Sequence, residues 1–461
     1  MHIQQLYTNC LAEAAYYIES EGEAAIIDPI RETEPYLELA ANRGTKIKYI
    51  FETHFHADFV SGHIDLSKKT GAQIVYGPMA ETKYKVHNAK DGEIFSIGKL
   101  KIKVLHTPGH TPESSCFLLF DEQGKEHSIF TGDTLFVGDV GRPDLLDGKM
   151  SREELASMLY DSLNNKIKPL ADDVIVYPAH GPGSACGKNI GKETFSTIGE
   201  QRKFNYAMKS ANREQFIKEV TDGILPPPSY FFEDARINKD GYSSIDEVVE
   251  RNNRALSVNE LAKAIEEGAI ILDTRKADEF EKGFIPDSIN IGLNGQFAIW
   301  AGTLIDINRP MILITEVGKE HESILRLARV GYENVVGYLN GGINSWNKKL
   351  EKVHSIQPAE MKKEMERGVE VIDVRKPGEW AVSHVKGAKF LPLSDMPENF
   401  LHLDKTKPYI VHCGGGYRSM TAISLMKKEG FTNLTNIYGG FGAMQNVGLE
   451  IVTEEEEIIN R

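Results

Sequence analysis

The chemistry of the first half of the chain is indicated by one short stretch, Thr53-His54-Phe55-His56-Ala57-Asp58-Phe59. Imidazole and carboxylate groups at this spacing are typical of a metal-binding loop. In dinuclear hydrolases such a loop ordinarily reads His-x-His-x-Asp-His, and Phe59 stands where the last histidine is expected. A phenyl ring cannot coordinate a metal ion. The stretch therefore predicts a site that holds a single ion.

Further candidate ligands follow in three later segments: Thr107-Pro108-Gly109-His110-Thr111, Thr131-Gly132-Asp133-Thr134-Leu135 and Tyr177-Pro178-Ala179-His180-Gly181. Each segment, like the first stretch, comes directly after an apolar run that predicts a strand. Loops at strand ends can converge on one ion. An isolated histidine is more often a core or surface residue than a ligand, but the ordered set of four segments favours a metal site.

These four segments resemble the metallo-β-lactamase superfamily over roughly the first 210 residues, which implies an αββα sandwich with the metal at one edge. Within that superfamily, the segments of His54, His110 and Asp133, together with Gly141-Arg142-Pro143-Asp144, are most similar to persulfide dioxygenases. That family holds one ferrous iron at the corresponding positions. The resemblance therefore implies one Fe(2+) per chain, bound by His54, His110 and Asp133.

The donor set is consistent with that expectation. Two imidazoles and one carboxylate on one side of an iron ion leave open positions where dioxygen and a substrate sulfur can bind. Zinc has no accessible second oxidation state, so a zinc ion at the same residues would support hydrolysis instead. Histidine and aspartate bind both ions, so the choice of iron depends on Phe59 and on the second half of the chain.

Other residues near the expected metal have less direct roles. We expect three of them to orient the ligands or the substrate: His56, Asp58 and His180. Arg142 is the candidate for binding a carboxylate of the substrate thiol, and an ion pair with Asp139 or Asp144 is the alternative. Cys186, on a turn-rich loop, either borders the metal site and carries a persulfide or is a partly exposed loop thiol.

Composition and charge exclude several classes of protein. The chain has 461 residues and a formal net charge of −14, without a basic cluster, so nucleic-acid binding is disfavoured. Neither a long apolar run nor a basic segment followed by an apolar one occurs, so no membrane span or secretory signal is expected. The four cysteines form no Cys-x-x-Cys pair, which indicates separate thiols in a reducing compartment. We expect a cytoplasmic protein.

The second half of the chain contains an internal repeat. Ile271-Leu272-Asp273-Thr274-Arg275-Lys276 recurs as Val371-Ile372-Asp373-Val374-Arg375-Lys376, and Gly341-Gly342 recurs as Gly439-Gly440. In each copy, apolar strands alternate with segments of helical period, which favours a parallel α/β sheet. Both copies resemble rhodanese domains in these features. The resemblance implies two rhodanese-like parallel α/β domains.

The expected domain organisation follows from these two resemblances. A proline-rich segment beginning at Ile224 is stiff and suits neither helix nor sheet, so it is expected to join the two halves. We therefore predict a metallo-β-lactamase-like domain over residues 1–222, a linker over 223–255, an inactive rhodanese-like domain over 256–352 and an active one over 353–461.

The second copy carries a candidate active loop, Cys413-Gly414-Gly415-Gly416-Tyr417-Arg418-Ser419, between a predicted strand and a predicted helix. Glycines let successive amides curve inward, and the helix start adds positive potential, so the loop can stabilise a thiolate and an anionic sulfur. We expect Cys413 and Arg418 to be catalytic, with Gly414, Gly415, Gly416 and Tyr417 binding substrate. Thr315 and Glu320 stand at the positions of Cys413 and Arg418 in the first copy, which is therefore expected to be inactive.

The two resemblances together imply a sulfide-detoxifying enzyme. A low-molecular-weight persulfide is oxidised by O2 to sulfite and thiol, and Cys413 then passes sulfane sulfur to sulfite to give thiosulfate. The expected partners are small-molecule persulfides, O2 and sulfite, and a homo-oligomer is expected. Two alternatives remain open, a dinuclear zinc thioester hydrolase of the glyoxalase II type and a sulfide-responsive binding or scaffold protein. The thiol that carries the sulfur is not indicated by the sequence.

Overall fold

The computed structural model of the chain describes residues 1–146, 149–396 and 398–454. The chain folds into two compact units. The first unit comprises Met1–Val248 and Ala328–Gly331, and the second comprises Val249–Leu327 and Tyr332–Arg461. Among the described residues, no helix combines the length and the apolar character needed to cross a membrane.

The first unit contains both sheet and helix. Its strands are β1 (His2–Thr8), β2 (Glu13–Ser20), β3 (Glu23–Ile27), β4 (Lys46–Glu52), β5 (Gln73–Tyr76), β6 (His87–Asn88), β7 (Ile94–Ile97), β8 (Leu100–His106), β9 (Ser115–Phe120), β10 (Glu126–Gly132), β11 (Ile175–Pro178) and β12 (Ser196–Thr197). Its helices are α1 (Glu34–Arg43), α2 (His63–Thr70), α3 (Arg152–Ser162), α4 (Ile198–Phe204), α5 (Tyr206–Lys209), α6 (Arg213–Thr221) and α7 (Phe231–Asp240), and α8 (Ile245–Asn252) spans the boundary between the units.

These strands form two six-stranded sheets, in the orders β1-β2-β3-β4-β5-β6 and β12-β11-β10-β9-β8-β7. Successive residues of a strand point to opposite faces, so each strand of the second sheet contributes to two cores. Phe117 and Phe130 pack between the two sheets, against Tyr16 and Phe51 of the first sheet. The αββα sandwich implied by the sequence resemblance is therefore confirmed.

The outer faces of the sandwich are covered by helices. Ile129 of β10 packs outward against Leu159 of α3 and Phe216 of α6, in a fully buried cluster. On the other side, α2 packs against β4 and β5. Helix α3 begins at a capping box, because the Ser151 hydroxyl accepts from the Glu154 amide and the Glu154 carboxylate accepts from the Ser151 amide.

Four strands end beside the predicted metal ligands. Strand β4 ends at Glu52, β8 at His106, β10 at Gly132 and β11 at Pro178. The apolar runs that predicted strands before the four motifs all lie within or overlap these elements, so that part of the sequence analysis is confirmed. The candidate ligands lie in the loops that follow, at one edge of the sandwich, where loop side chains can meet.

Part of the segment expected as a linker, residues 223–255, is helical. Residues 224–228 form neither helix nor strand, as their prolines predict, but α7 and α8 lie within the rest of the segment, and the chain up to Val248 belongs to the first unit. Phe231 and Asn238 of α7 are buried. Because the sequence of this segment is largely polar, helix α7, which contacts the metal-site loop, was not predicted.

The second unit contains both repeat copies. Its strands are β13 (Ala255–Leu256), β14 (Ile270–Asp273), β15 (Ile289–Asn290), β16 (Met311–Ile314), β17 (Val335–Leu339), β18 (His354–Ile356), β19 (Glu370–Asp373), β20 (His384–Val385), β21 (Lys389–Phe390), β22 (Tyr409–His412), β23 (Leu434–Ile437) and β24 (Ile451–Val452). Its helices are α9 (Val258–Glu266), α10 (Ala277–Phe280), α11 (Phe297–Leu304), α12 (Glu320–Ala328), α13 (Pro358–Glu366), α14 (Pro377–Val382), α15 (Tyr417–Lys428) and α16 (Gly440–Met444).

Each repeat copy forms a five-stranded parallel sheet, in the orders β13-β17-β16-β14-β15 and β18-β23-β22-β19-β21. The central strands are short continuous apolar runs, as expected for parallel strands buried on both faces. The repeated Asp-x-Arg motif has the same structure twice, because Arg275 Nη2 donates to Asp273 Oδ2 at 2.6 Å and Arg375 Nη2 donates to Asp373 Oδ2 at 2.7 Å. The two predicted rhodanese-like domains are confirmed as a fold.

Candidate metal and thiol sites

The loop after β4 carries the first histidine of the candidate metal site. Thr53 fixes the orientation of His54, because its hydroxyl donates to Asp28 Oδ2 at 2.8 Å and lies 3.0 Å from His54 Nδ1. A hydroxyl whose proton is already donated accepts the Nδ1 proton, so Nε2 of His54 keeps a free lone pair. Burial, with smaller contributions from the neighbouring imidazoles, lowers the pKa of His54 well below its ordinary value. His54 is thus a neutral, oriented donor.

His110 is oriented in the same way by a backbone carbonyl. Its Nδ1 lies 2.8 Å from the carbonyl oxygen of Arg142, which can only accept, so the proton is on Nδ1 and Nε2 is free. Nε2 of His110 lies 3.4 Å from Asp133 Oδ2, and Nε2 of His54 lies 3.9 Å from the same oxygen. The sequence analysis did not anticipate that main-chain and hydroxyl groups would set both tautomers.

The ligand atoms of His54, His110 and Asp133 all lie within 4.8 Å of one another, and the three residues are buried. Both Nε2 atoms and both carboxylate oxygens of Asp133 lack a hydrogen-bond partner. Buried polar atoms without partners are costly, so a cluster of four of them around one point fits a bound cation. These residues therefore fit the metal implied by the sequence resemblance.

Glycine is required directly before Asp133. Gly132 has a φ of 50°, and a Cβ at this position would lie 2.5 Å from Thr53 Oγ1. The end of β10, directly before Asp133, thus packs against the Thr53 hydroxyl that orients His54. A side chain at position 132 would push the strand and this hydroxyl apart. The Gly-Asp pair of the third motif therefore has a steric explanation in the site itself.

His56 has a different environment from His54 although only one residue separates them. Its Nε2 lies 3.1 Å from Asp28 Oδ1 and 3.6 Å from Glu52 Oε2. Burial opposes the charged ring, but the attraction and hydrogen bonding of Asp28, with Glu52 and Asp58, outweigh it and raise the pKa of His56 to about 10. His56 thus differs from His54 in that its Nε2 lies directly against two carboxylates.

A second group of buried donors lies beside the first and consists of His56, Asp58 and His180. Nδ1 of His180 lies 3.2 Å from the carbonyl of Ala12, while its Nε2 lies 3.5 Å from both Asp58 Oδ2 and Asp133 Oδ1. Burial is the main cause that raises the pKa of Asp58. The buried ring of Phe59 lies beside the His56 ring, with centroids 4.4 Å apart, and supplies no ligand.

The candidate thiol site lies at the end of β22 in the second repeat copy. The Gly416 amide donates to Cys413 Sγ at 3.1 Å, and the thiol lies 3.6 Å from Ser419 Oγ. Gly416 has a φ of 103° and stands at the N-cap of α15, so the positive end of that helix faces the sulfur. A backbone donor and a helix start thus meet one buried cysteine, in the arrangement that the glycine-rich sequence predicted.

Arg418 is held by a partner that the sequence analysis missed. Its guanidinium makes a two-pronged ion pair with Glu379 of α14, at 2.5 and 2.8 Å. Burial disfavours the charged form of Glu379. The hydrogen bonds from Arg418 outweigh this effect and lower the pKa of Glu379. No local motif marks Glu379, which lies 39 residues before Arg418.

The first repeat copy has the same order of strand, loop and helix, but different residues stand at the positions of Cys413 and Arg418. Thr315 directly follows β16, as Cys413 follows β22, and Glu320 begins α12. The described residues of this loop therefore include neither a thiol nor a cation at the corresponding positions. This geometry agrees with an inactive copy.

Comparison with known proteins agrees with this architecture. The metallo-beta-lactamase superfamily model matches residues 8–180, and the rhodanese-like domain model matches residues 257–349 and 357–446. The human mitochondrial persulfide dioxygenase ETHE1 is 33% identical over 209 residues, which cover 45% of this chain and 74% of that protein. The chain belongs to the persulfide dioxygenase–rhodanese fusions of the metallo-beta-lactamase superfamily.

This fusion is also similar to proteins with other names. A probable hydroxyacylglutathione hydrolase of Schizosaccharomyces pombe is 33% identical over 165 residues, which cover 35% of this chain and 60% of that protein. The crystal structure of a metallo-beta-lactamase from Staphylococcus aureus has a TM-score of 0.66 and 31% identity, and the alignment covers 74% of the fusion and 98% of that chain.

Arg142 of the fusion is paired within the protein. Its guanidinium donates to Asp144 at 2.6 and 2.8 Å and to the carbonyls of Ala185 and Leu225. This is the ion pair that the sequence analysis gave as the alternative to substrate binding. A substrate carboxylate would have to share the guanidinium with Asp144.

Cys186 is buried rather than partly exposed, which corrects one of the two sequence-based interpretations of this residue. Its thiol lies in a group with Asp133 and His180. Burial, together with the nearby carboxylates of Asp58 and Asp133, raises the pKa of Cys186 well above its ordinary value. The residue borders the metal cluster as a neutral thiol.

Asn238 of α7 was also missed by the sequence analysis. Its side-chain amide donates to the carbonyls of His56 and Phe59 at 2.7 and 2.8 Å, and its oxygen accepts from the Ser61 amide at 2.9 Å. This one side chain therefore satisfies three main-chain groups of the metal loop. It was overlooked because it lies about 180 residues away, in the expected linker.

Proposed function

We propose that this protein oxidises low-molecular-weight persulfides with O2 at a single ferrous ion and transfers sulfane sulfur to the resulting sulfite through Cys413. The first reaction balances as RSSH + O2 + H2O → RSH + SO3²⁻ + 2H⁺. The second loads Cys413 from another persulfide and then releases thiosulfate. The observation that carries the proposal is the cluster of buried, unpartnered donor atoms on His54, His110 and Asp133.

The first reaction requires a redox-active ion at this cluster. A ferrous ion bound by two imidazoles and one carboxylate supplies open positions at which dioxygen and a sulfur can react. The protein's own contribution is orientation. Thr53 and the Arg142 carbonyl keep the Nδ1 protons of His54 and His110 in place, so both Nε2 lone pairs are available without rearrangement.

Two buried histidines beside the proposed ligands, His56 and His180, contact the surrounding carboxylates. His56 Nε2 lies 3.1 Å from Asp28 Oδ1, so it can hold the Asp28 carboxylate that also accepts from the Thr53 hydroxyl. His180 Nε2 lies between Asp58 and Asp133, so it can pass a proton that persulfide oxidation releases. That His56, Asp58 and His180 orient the ligands or the substrate stays a prediction.

Sulfur transfer uses the glycine-rich loop. The Cys413 thiolate attacks the outer sulfur of a persulfide, the S–S bond of the donor breaks, and the donor thiol leaves with the proton. Sulfite then attacks the outer sulfur of the Cys413 persulfide anion, the S–S bond to Cys413 breaks, thiosulfate leaves and the Cys413 thiolate is restored. The Gly416 amide and the start of α15 stabilise the sulfur anion, and Arg418 attracts the sulfite.

Product analysis tests the whole proposal. The purified protein is given glutathione persulfide in an oxygen electrode, and sulfite and thiosulfate are measured as oxygen is consumed. We expect thiosulfate as the main product and no product without oxygen. Equal turnover in anaerobic and aerated buffer contradicts the proposal. Coenzyme A, bacillithiol and cysteine persulfides, compared in the same assay, identify the thiol carrier.

A thioester hydrolase of the glyoxalase II type is the second candidate, because one observation favours it. His56, Asp58 and His180 form a second buried donor group beside the first, and hydroxyacylglutathione hydrolases are among the relatives. Two zinc ions per chain in the purified protein, with cleavage of S-lactoylglutathione, would support this candidate. The phenyl ring of Phe59, which lies beside His56 and supplies no ligand, argues against it.

Several finer assignments belong to the same proposal. We propose that Cys186, whose thiol lies in a group with Asp133 and His180, meets a substrate sulfur, and that Arg142 holds a substrate carboxylate while it remains paired with Asp144. Domain limits of 1–222, 256–352 and 353–461, a homo-oligomer and a cytoplasmic location stay predictions. Reducing conditions are compatible with the four free cysteines.

A further inference from the structure

One loop of the inactive rhodanese copy lies against the active loop of the other copy. The Tyr417 hydroxyl donates to the carbonyl of Gly292 at 2.8 Å. The ring of Tyr417 also covers Gly295 so closely that an added Cβ would lie 2.7 Å from two ring carbons. Gly295 does not have a positive φ, so the requirement for glycine here comes from the Tyr417 ring and not from backbone strain.

The loop that receives Tyr417 is itself held firmly. Arg326 of α12 donates to the carbonyls of Leu293 and Gly295 at 2.6 and 3.2 Å, and its guanidinium lies 5.4 Å from the ring centroid of Phe297. The Leu293 amide donates to the Thr274 carbonyl at 3.1 Å. The receptor for Tyr417 is therefore a fixed part of the first copy, not a free loop.

Tyr417 occupies a sensitive position in the second copy. It lies between Gly416, whose amide contacts Cys413 Sγ, and Arg418, which is expected to bind the anion. It is also the first residue of α15. Burial raises the pKa of Tyr417, so the phenol remains a neutral donor to Gly292. A shift of Tyr417 must move the amide and the guanidinium on either side of it.

A second contact holds the same helix. The Asn290 amide in β15 donates to Ser424 Oγ on α15 at 2.9 Å. The Asn290 side chain is fixed in turn, because it donates to the carbonyls of Asp273 and Arg275 at 3.0 and 2.9 Å. Helix α15 is therefore attached to the first copy at its first turn and again near its middle.

We propose that the inactive rhodanese copy is a working part of the Cys413 site, because its Gly292–Gly295 segment positions Tyr417 and so sets the curvature of the Cys413 loop. This inference rests on the proposed sulfur transfer. It gives a role to a copy that was expected only to be inactive. Gly292, Gly295 and Arg326 are positioning residues, since none of them is expected to touch the transferred sulfur.

The test compares four variants of the full-length protein: Gly295→Ala, Tyr417→Phe, Tyr417→Ala and the double variant Gly295→Ala/Tyr417→Ala. Gly283→Ala is the matched control, because Gly283 is also in the first copy but its added Cβ would approach only the flexible Leu350 side chain. Each protein is assayed for oxygen uptake and for the kcat and KM of thiosulfate formation with sulfite. Hydrogen exchange of the peptide containing residues 413–419 is measured by mass spectrometry.

We expect Gly295→Ala to lower kcat for sulfur transfer by about ten- to a hundredfold, because the displaced ring moves the reactive loop. The KM for sulfite changes less, and oxygen uptake stays as in the unmodified protein. Tyr417→Phe keeps the ring and loses one hydrogen bond, so its kcat falls by only about three- to tenfold. Amides of residues 413–419 exchange faster in Gly295→Ala, and Gly283→Ala behaves as the unmodified protein in every assay.

The double variant separates positioning from general destabilisation. Without the ring, the methyl group added by Gly295→Ala has nothing to displace, so adding this change to Tyr417→Ala should cause little further loss. Additive losses in the double variant overturn the proposal, as does a Gly295→Ala protein with unmodified kcat and exchange. If Gly295→Ala does not fold, equal kcat for Tyr417→Ala, Tyr417→Phe and the unmodified protein overturns it instead.

Failure of the proposed function has a different signature. If the unmodified protein makes no thiosulfate, or if Cys413→Ser leaves the yield unchanged, the sulfur-transfer assignment is wrong. Hydrogen exchange then still decides whether Gly295 and Tyr417 hold the loop, because that measurement does not depend on turnover. Loss of exchange protection with intact thiosulfate formation refutes the positioning role and leaves the proposed function in place.

Discussion

The two proposed centres of this protein hold their reactive atoms in opposite ways. At the metal cluster, side-chain lone pairs of His54, His110 and Asp133 converge without hydrogen-bond partners, which favours a cation. At Cys413, a backbone N–H group and a helix start converge on one sulfur, which favours an anion. Because the centres use different atoms and attract opposite charges, a substitution that removes one should leave the chemistry of the other intact.

Removal of a metal ligand should have the largest effect. In Asp133→Ala the two Nε2 atoms lose the carboxylate they share, so we expect little bound iron and oxygen uptake at background level. Sulfur transfer from added persulfide to added sulfite should continue. Asp173→Ala, which removes an exposed carboxylate paired with Lys125, is the control. Full oxygen uptake by Asp133→Ala would rule out the assigned ligand set.

Removal of the thiol should have the complementary effect. Cys413→Ser should consume oxygen at the normal rate and release sulfite in place of thiosulfate, because no sulfur can be loaded on the loop. Thr315→Ser, a change at the corresponding position of the first copy, should leave both products unchanged. A normal thiosulfate yield from Cys413→Ser would falsify the role of this cysteine. Ion chromatography of the products measures both outcomes.

A smaller loss is expected when the carboxylate that contacts Thr53 and His56 is changed. Asp28 accepts from Thr53 through Oδ2 and holds His56 through Oδ1. Asp28→Asn removes the negative charge and disturbs the hydroxyl that orients His54, so the rate of oxygen uptake should fall about 10- to 100-fold. Sulfur transfer serves as the internal control. Equal loss of both activities would mean that the variant is merely unstable.

The smallest effect is expected at the partner of Arg418. Glu379→Gln keeps one hydrogen bond to the guanidinium but removes the charge of a partly buried ion pair. The KM for sulfite should rise roughly two- to fivefold with little change in kcat, since Arg418 is less well oriented. Glu364→Gln, which alters an exposed pair with Arg367, should leave the KM unchanged. An unchanged KM in Glu379→Gln removes any role of the pair in sulfite binding.

Sequence reasoning was most informative where chemistry is carried by local motifs. An apolar strand comes before residues 53–59, and the same is true of the segments of His110 and Asp133. The ends of neighbouring strands bring such motifs together. The repeated Asp-x-Arg pair was likewise recognisable because it forms one local hydrogen-bonded unit in each copy. The fold and the two candidate centres could therefore be predicted from short segments.

Partners that are distant in the sequence could not be predicted. Asn238 binds the metal loop across about 180 residues, Glu379 pairs with Arg418, and Tyr417 contacts Gly292 of the other copy. None of these contacts follows a periodic pattern or a short motif, because each depends on how separate elements pack. The contact on which the proposed positioning role of the first copy rests was missed for the same reason.

The metal content and its link to activity test the central claim most directly. Metal is removed with a chelator, and the protein is reconstituted anaerobically with Fe(2+) or with Zn(2+). Metal per chain and persulfide-dependent oxygen uptake are then measured on the same samples. We predict about one iron per chain, oxygen uptake restored by iron and not by zinc, and sulfur transfer by Cys413 in all samples. Two ions per chain with zinc-dependent thioester cleavage and no oxygen uptake would contradict the account.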